Sequence, residues 1–373
     1  TDIFRGGADI IFSPLTVRKE NLMVRKMVSV QKIEGVYPIE NADRIEKIRI
    51  GGWIVVVGKD MGLKPGDHVA YFEIDSMLPA DDPRYTDLQK RGQRTVPVSN
   101  TITGEEKEIT GHVLRTARLR GVYSQGLVMP LSTIGVPEDT PIGTDITLQA
   151  DVWKYEELPP VKGGDMVGSF NAPCSKSDAT RVQNLTAYWD EIRRIAWTPT
   201  VKVDGTSTTI YRDMDDMVHV YSRNWELKPE CANMQVAVKT GLVDALEKGM
   251  VCQFELCGPS VNGNRLKLAS YRPFVFAVWR DNMKLDRRDW PKAMLDNAVP
   301  LLDETEWKPT GDVMDMIAKV DGLRGNVTRD LLDEGIVWHA KAGERLSDGL
   351  YNELGSNRCF KIINNKYLTK HGL

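Results

Sequence analysis

The chain carries no surplus of positive charge: 49 lysines and arginines face 52 acidic residues, a formal net charge of −3. A surface coated in cations is excluded, so any polyanion it meets must lie along a local stripe. No apolar run reaches the roughly 20 residues that span a bilayer, and the N-terminus lacks the apolar core of a secretory leader. No membrane partner is expected. Cysteine is scarce. Cys174, Cys231, Cys252, Cys257 and Cys359 include no C-x-x-C pair and have no histidine cluster to join. That argues against a structural zinc site and for the reduced, buried thiols of a cytoplasmic protein. What remains, 41% hydrophobic and 27% charged over 373 residues, is a soluble globular chain long enough for two domains.

Residues 1–24 have no clear period and read as an arm or an edge strand. From Arg25 to about Val152 the texture is all-β. Met27 to Val30, Arg44 to Ile50, Trp53 to Val57 and His68 to Ile74 are β-rich runs, and Lys64-Pro65-Gly66-Asp67 is a strong turn before the last of them. Short strands so spaced suggest a small barrel over 25–155. Arg84, Lys90, Arg91, Arg94, Arg115, Arg118 and Arg120 form either a cationic stripe or an ordinary solvated face. Pro159, Pro160, Gly163, Gly164 and Gly168 mark 156–172 as a linker to a second domain, 173–373. There Ser177-Asp178 caps a predicted amphipathic helix that includes Arg181, with Leu185, Trp189, Ile192 and Ile195 three or four apart.

Val201 to Ile210 read Val-Lys-Val-Asp-Gly-Thr-Ser-Thr-Thr-Ile, two short strands meeting at Gly205. Two residues apart in a strand, Lys202 and Asp204 point to one side, and Gly205 would let a ligand approach the backbone. A nucleophilic amine facing a phosphate needs such a setting. Downstream, otherwise apolar β runs carry Arg223, Glu255, Glu334 and Lys361, with Phe274 and Phe276 on another. Buried charges cost several kcal/mol, on the order of 3–5, unless paired. Each alone reads as an ion-pair partner; with Lys202 and Asp204 they supply two lysines, an arginine and three acids, one lysine being the nucleophile. A second Lys-x-Asp-Gly at Lys319 to Gly322 follows helical spacing at Val313, Met314, Ile317 and Val320 and reads as a helix end.

Lys202 to Gly205, Arg223, Glu255, the Phe274 to Trp279 run, Glu334-Gly335 and Lys361 resemble, in order, the motifs of the covalent nucleotidyltransferases, meaning polynucleotide ligases and capping enzymes. Leu119 to Leu127 resembles the signature of tRNA-binding OB-type modules, or else is a hairpin closing the barrel. Lys176-Ser177-Asp178 through Asn184 resembles the opening motif of the fifth family of ATP-dependent RNA ligases. That family implies an α+β fold, an N-terminal OB-type barrel and then a nucleotidyltransferase domain of antiparallel sheets with flanking helices.

The resemblance further implies an enzyme that seals 3′-hydroxyl and 5′-phosphate RNA ends, free or in a nicked duplex, as a monomer serving RNA repair. It implies that Lys202 takes AMP from ATP, and that Asp204, Glu255 and Glu334 hold magnesium or manganese directly or through water. Lys361 would face the α-phosphate and Arg223 the ribose or phosphates, and Glu255 would accept from the ribose hydroxyls. Phe274 or Phe276 would stack on adenine, with Lys176 and Gly205 also at the nucleotide. Two departures stand out. Position 363 is Ile where many relatives have a second lysine, which Lys366 would replace. Thr200 and Val201 stand where many relatives have a glutamate on adenine. Arg115, Arg118 and Arg120 would hold the nucleic acid. The alternatives are a capping-type guanylyltransferase using the same lysine with GTP, and a non-catalytic OB-fold RNA-binding protein.

Overall fold

The computed structural model describes residues 25–103, 105–155 and 165–373. The arm at 1–24 and the proline–glycine run at 156–164 lie outside the described residues. The N-terminal half is mainly strand, as expected, with short helical turns at Pro83–Tyr85, Thr86–Gln89 and Leu131–Ile134. Val28–Lys32, His68–Phe72 and Leu127–Met129 form one sheet, and Gly35–Pro38, Ile45–Ile50 and Trp53–Gly58 another. Ser76–Pro79, Arg94–Ser99, Glu106–Val113 and Trp153–Tyr155 close into a barrel. Alternation drives the assembly: Trp53, Val55 and Val57 turn inward onto Ile48 and Tyr71, and their neighbours turn out. The Leu119 to Leu127 stretch contains a hairpin, Ala117–Leu119 with Val122–Ser124, turning through Arg120 and Gly121. Both Arg118 and Arg120 are exposed on it.

The C-terminal half is built on two sheets. The larger has seven strands and includes Thr206–Arg212, Met250–Cys257 and Arg272–Arg280 at its centre; the smaller orders Thr180–Arg181, Cys359–Ile363, Gly335–Ala340 and Trp197–Lys202. One face of the smaller sheet supplies Trp197, Ile336, Trp338, Phe360 and Ile362 to the core, where Trp338 and Phe360 stack 5.0 Å apart. Its other face lines a cleft.

Three expectations need correction. The two strands of the Lys202 stretch do not pair as a hairpin: Trp197–Lys202 and Thr206–Arg212 belong to different sheets, and Val203 to Gly205 crosses between them. The helix expected from Ser177 begins late. Arg181 is extended and pairs in parallel with Lys361, so a 3₁₀ segment Val182–Tyr188 and a short helix Trp189–Ile192 follow instead. The apolar spacing survives, with Val182, Leu185, Trp189 and Ile192 all in the core. The linker is also shorter than expected, because Met166–Ser169 already pairs with Trp225–Leu227. The second Lys-x-Asp-Gly does end a helix, Val313–Val320, with Lys319 over the Trp307 ring.

The two halves are fastened together. Gly52 donates its N–H to the Gln183 carbonyl at 3.1 Å, and Trp53 Nε1 donates to Asn184 Oδ1 at 2.7 Å. A Cβ at Gly52 would sit 2.5 Å from the Gln183 Cα, so this contact requires glycine. From the far end of the chain, the Thr116 N–H donates to the Leu373 carbonyl and Arg115 to the Gly372 carbonyl. Among the described residues no helix is long and apolar enough to cross a membrane.

Candidate active site

Period-2 alternation sorts the smaller sheet. If Trp197, Ile336 and Phe360 go to the core, then Lys202 and Thr200, Val337 and His339, Lys361 and Arg181 must share the opposite face, and the register places them side by side. This face forms one wall of a cleft of about 1770 Å³ that the larger sheet and the N-terminal module complete. Gly335 allows the strands to close up here, since a Cβ would meet the Ile362 carbonyl at 2.2 Å.

Lys202 Nζ donates to both oxygens of Glu334 at 2.7 Å. Burial works against the ammonium, but Glu334, Glu255 and Asp204 outweigh it and hold Lys202 above its ordinary value. In this state the amine is a stored cation, not a nucleophile. Lys361 is the opposite case. Burial first, and then Lys202, Arg181 and Arg223, pull it down to about 7 against the attraction of Asp178. Glu255 is pushed up to about 8 by burial, with Glu334 and Asp204 adding to the shift and Lys202 opposing it. Near neutral pH it is largely a protonated acid, and its Oε1 accepts the Gly205 N–H at 3.2 Å.

From the larger sheet, Arg223 reaches the cleft and pairs with Asp178 at 2.5 Å, and Lys176 Nζ donates to Asn224 at 3.1 Å. A bulge between Gln253 and Phe254 leaves Phe276 out of the pairing, and its ring lies on the cleft wall. Phe274 does not reach the cleft. It is 1% exposed, packed among Val201, Val203 and Cys257 under the Arg272 guanidinium, so of the two rings only Phe276 is placed to stack on a base. Lys366 also turns away: its ammonium lies 3.8 Å from Asp321 and half in solvent, so it does not supply the missing lysine at 363. Arg118 and Arg120 stand apart from the cleft, whereas Arg115 lines it. Gly205 lines the cleft and is also required by packing, because a Cβ would meet the Leu256 carbonyl at 2.4 Å and Cys257 Sγ at 2.6 Å.

Asp204 departs furthest from its expected role. Arg265 at 2.5 Å, Tyr367 at 2.6 Å and Asn262 at 2.7 Å all donate to its carboxylate, which burial disfavours but these donors keep ionised. So occupied, it anchors the turn after Lys202.

The chain matches the OB-fold domain family over residues 27–131 and the RNA ligase family over residues 195–363. Among solved structures, Naegleria gruberi RNA ligase with pyrophosphate is 31% identical, with a TM-score of 0.76 covering 94% of this chain and 99% of that one. A mutant of the same Naegleria gruberi enzyme with ATP and manganese gives 31% identity and a TM-score of 0.74 over 94% and 98% of the two chains. Another mutant, with AMP and manganese, gives 30% and 0.76 over 93% and 99%. The chain belongs to the RNA ligase family. No curated protein sequence matches the ligase.

Among its described residues the ligase gathers no group of three histidine, cysteine or acidic side chains fit to cage a metal ion. Asp204 already accepts from Arg265, Tyr367 and Asn262, and Glu255 from the Gly205 N–H, so either would have to give up a donor to touch a metal directly. Glu334, on the cleft, is the acidic side chain that would hold a divalent cation, whose charge would offset that of phosphate.

The motif reading of the ligase included Arg181 without giving it a role at the site, and missed Arg265 and Tyr367. Arg181 is half-buried beside Lys361; its buried Nη1 lacks a hydrogen-bond partner among the described residues, and its guanidinium lies 5.9 Å over Trp53. As a guanidinium on the cleft wall, Arg181 fits a ligand anion. The three-residue step from Val182 to Leu185 was the available hint that Arg181 lies outside the helix.

Proposed function

We propose that this ligase uses ATP to join RNA ends through an adenylate carried on Lys202. The observation that carries the reading is the convergence of Lys202, Lys361 and Arg181 on one sheet face within the cleft, with Glu334 on the Lys202 ammonium. The Lys202 ammonium first loses a proton, for which the Glu334 carboxylate at 2.7 Å is the nearest acceptor. Its lone pair then attacks the α-phosphorus, an N–P bond forms, and the P–O bond to pyrophosphate breaks. Lys361 and Arg181 stabilise charge on the phosphate oxygens, and the protonated Glu255 is placed to donate to a ribose hydroxyl. Glu334 would hold a divalent cation in place of the Lys202 ammonium, and that cation would supply charge neutralisation on the phosphates.

In the following steps AMP passes to an RNA 5′-phosphate, and a 3′-hydroxyl then attacks that phosphorus and releases AMP. Arg115, on the cleft, and the exposed Arg118 and Arg120 would hold the strand by its phosphates. We assign the working form to a monomer in the cytoplasm, with RNA repair as its role. Intact mass after incubation with ATP and magnesium tests the chemistry: the expected result is an AMP adduct on the parent and none on Lys202→Ala. A GMP adduct from GTP in preference to AMP would favour a capping-type enzyme, and no adduct on folded protein a binding module.

A further inference from the structure

Beside the nucleophile lies a polar relay that the phosphate chemistry does not use. Lys284 Nζ lies 3.0 Å from His339 Nδ1 and donates to the Asn357 carbonyl at 3.0 Å. On the other side of the ring, His339 Nε2 lies 3.2 Å from Thr200 Oγ1, and that hydroxyl donates to the Val337 carbonyl at 3.3 Å. All of these residues line the cleft, with Phe276 and Val299 on the same wall. Thr200 shares its face with Lys202, two residues and therefore about 6.7 Å along the strand. If the α-phosphate sits at Lys202, that spacing puts Thr200 and the Phe276 ring at the base end of the nucleotide.

The relay has only one consistent direction. Burial, with Lys284 and Arg287 nearby, holds His339 well below its ordinary value, so the ring is neutral and carries a single N–H. An ammonium offers donors only, so Nδ1 must accept from Lys284 and the proton must sit on Nε2. Nε2 then donates to Thr200, whose own proton is directed at Val337. What Thr200 presents to the cleft is therefore a lone pair. An exocyclic amine satisfies it, whereas a carbonyl oxygen meets oxygen against oxygen.

We propose that Lys284 and His339 are positioning residues that fix Thr200 as an acceptor and so select a 6-aminopurine nucleotide over a 6-oxopurine one. The proposal rests on the reading that Lys202 takes a purine nucleotide from its triphosphate.

The test compares adduct formation from ATP and from inosine triphosphate, which carries a carbonyl in place of the 6-amino group. The parent is expected to favour ATP. Lys284→Met, His339→Gln and Thr200→Val should each lower the ATP-to-ITP rate ratio about tenfold or more, while Thr200→Ser, which keeps the oxygen, retains it. The ratio is informative because a purely structural defect slows both nucleotides alike. Ratios unmoved in folded variants overturn the proposal and leave the ATP chemistry standing, and a parent with no adduct from either nucleotide overturns both. Should Lys284→Met not fold, the Thr200→Val and Thr200→Ser pair decides alone.

Discussion

Tyr367 holds the catalytic turn from 163 residues away, through a 2.6 Å hydrogen bond to Asp204. Hydrogen bonds to charged groups contribute about 1.5–3 kcal/mol. Tyr367→Phe should lower stability by about that amount in urea unfolding and slow adduct formation, with Arg265 and Asn262 retaining part of the anchor. Glu255 makes a pH prediction. Its folded-state value, about 8, lies above its ordinary 4.5, so the stability it lends is intact in acid and is lost as pH rises through about 8. Glu255→Gln cannot ionise. Its stability relative to the parent should therefore climb between pH 5 and pH 9, by on the order of 2 kcal/mol or more, read from urea midpoints at each pH. Lys202, Glu255, Glu334 and Lys361 were legible as single residues because charge inside apolar β runs is unusual. Tyr367 and Arg265 were not, since an aromatic or a surface-type cation far along the chain gives no sign of which carboxylate it will meet.

At the scale of elements, the period-2 pattern was legible and the pairing was not. Alternation told which side chains share a face, but the Lys202 stretch reads the same whether its strands form a hairpin or part into two sheets. Gly205 marks the parting. It looked like a turn glycine, yet it is demanded by the neighbouring strand, where Leu256 and Cys257 leave no room for a methyl group. Gly205→Ala should cost about 1–3 kcal/mol in urea unfolding and, by shifting Asp204, reduce the rate of AMP transfer. The segment after Arg181 was legible as apolar spacing but not as 3₁₀ structure, because Val182, Leu185, Trp189 and Ile192 suit either winding. Only the parallel pairing of Arg181 with Lys361 decides between them, and that pairing is 180 positions distant in sequence.

For the whole molecule, the N-terminal module reaches the chemistry through its junction. Gly52 rests on Gln183, and Trp53 lies under the Arg181 guanidinium. Gly52→Ala forces that contact apart, and we expect slower adduct formation in single-turnover measurements while Lys202 and Glu334 stay in place. The cleft also carries its own anions: Glu334 on Lys202, Asp178 on Arg223, and Glu73 and Asp75 on Arg25. An arriving triphosphate thus exchanges one set of counter-charges for another instead of stripping bare cations of solution ions. Raising the ionic strength from 50 to 200 mM, a range over which nucleic-acid affinity falls steeply, should weaken RNA retention far more than ATP retention. Salt would then separate the two halves of the reaction, leaving a charged enzyme waiting for ends it can no longer hold.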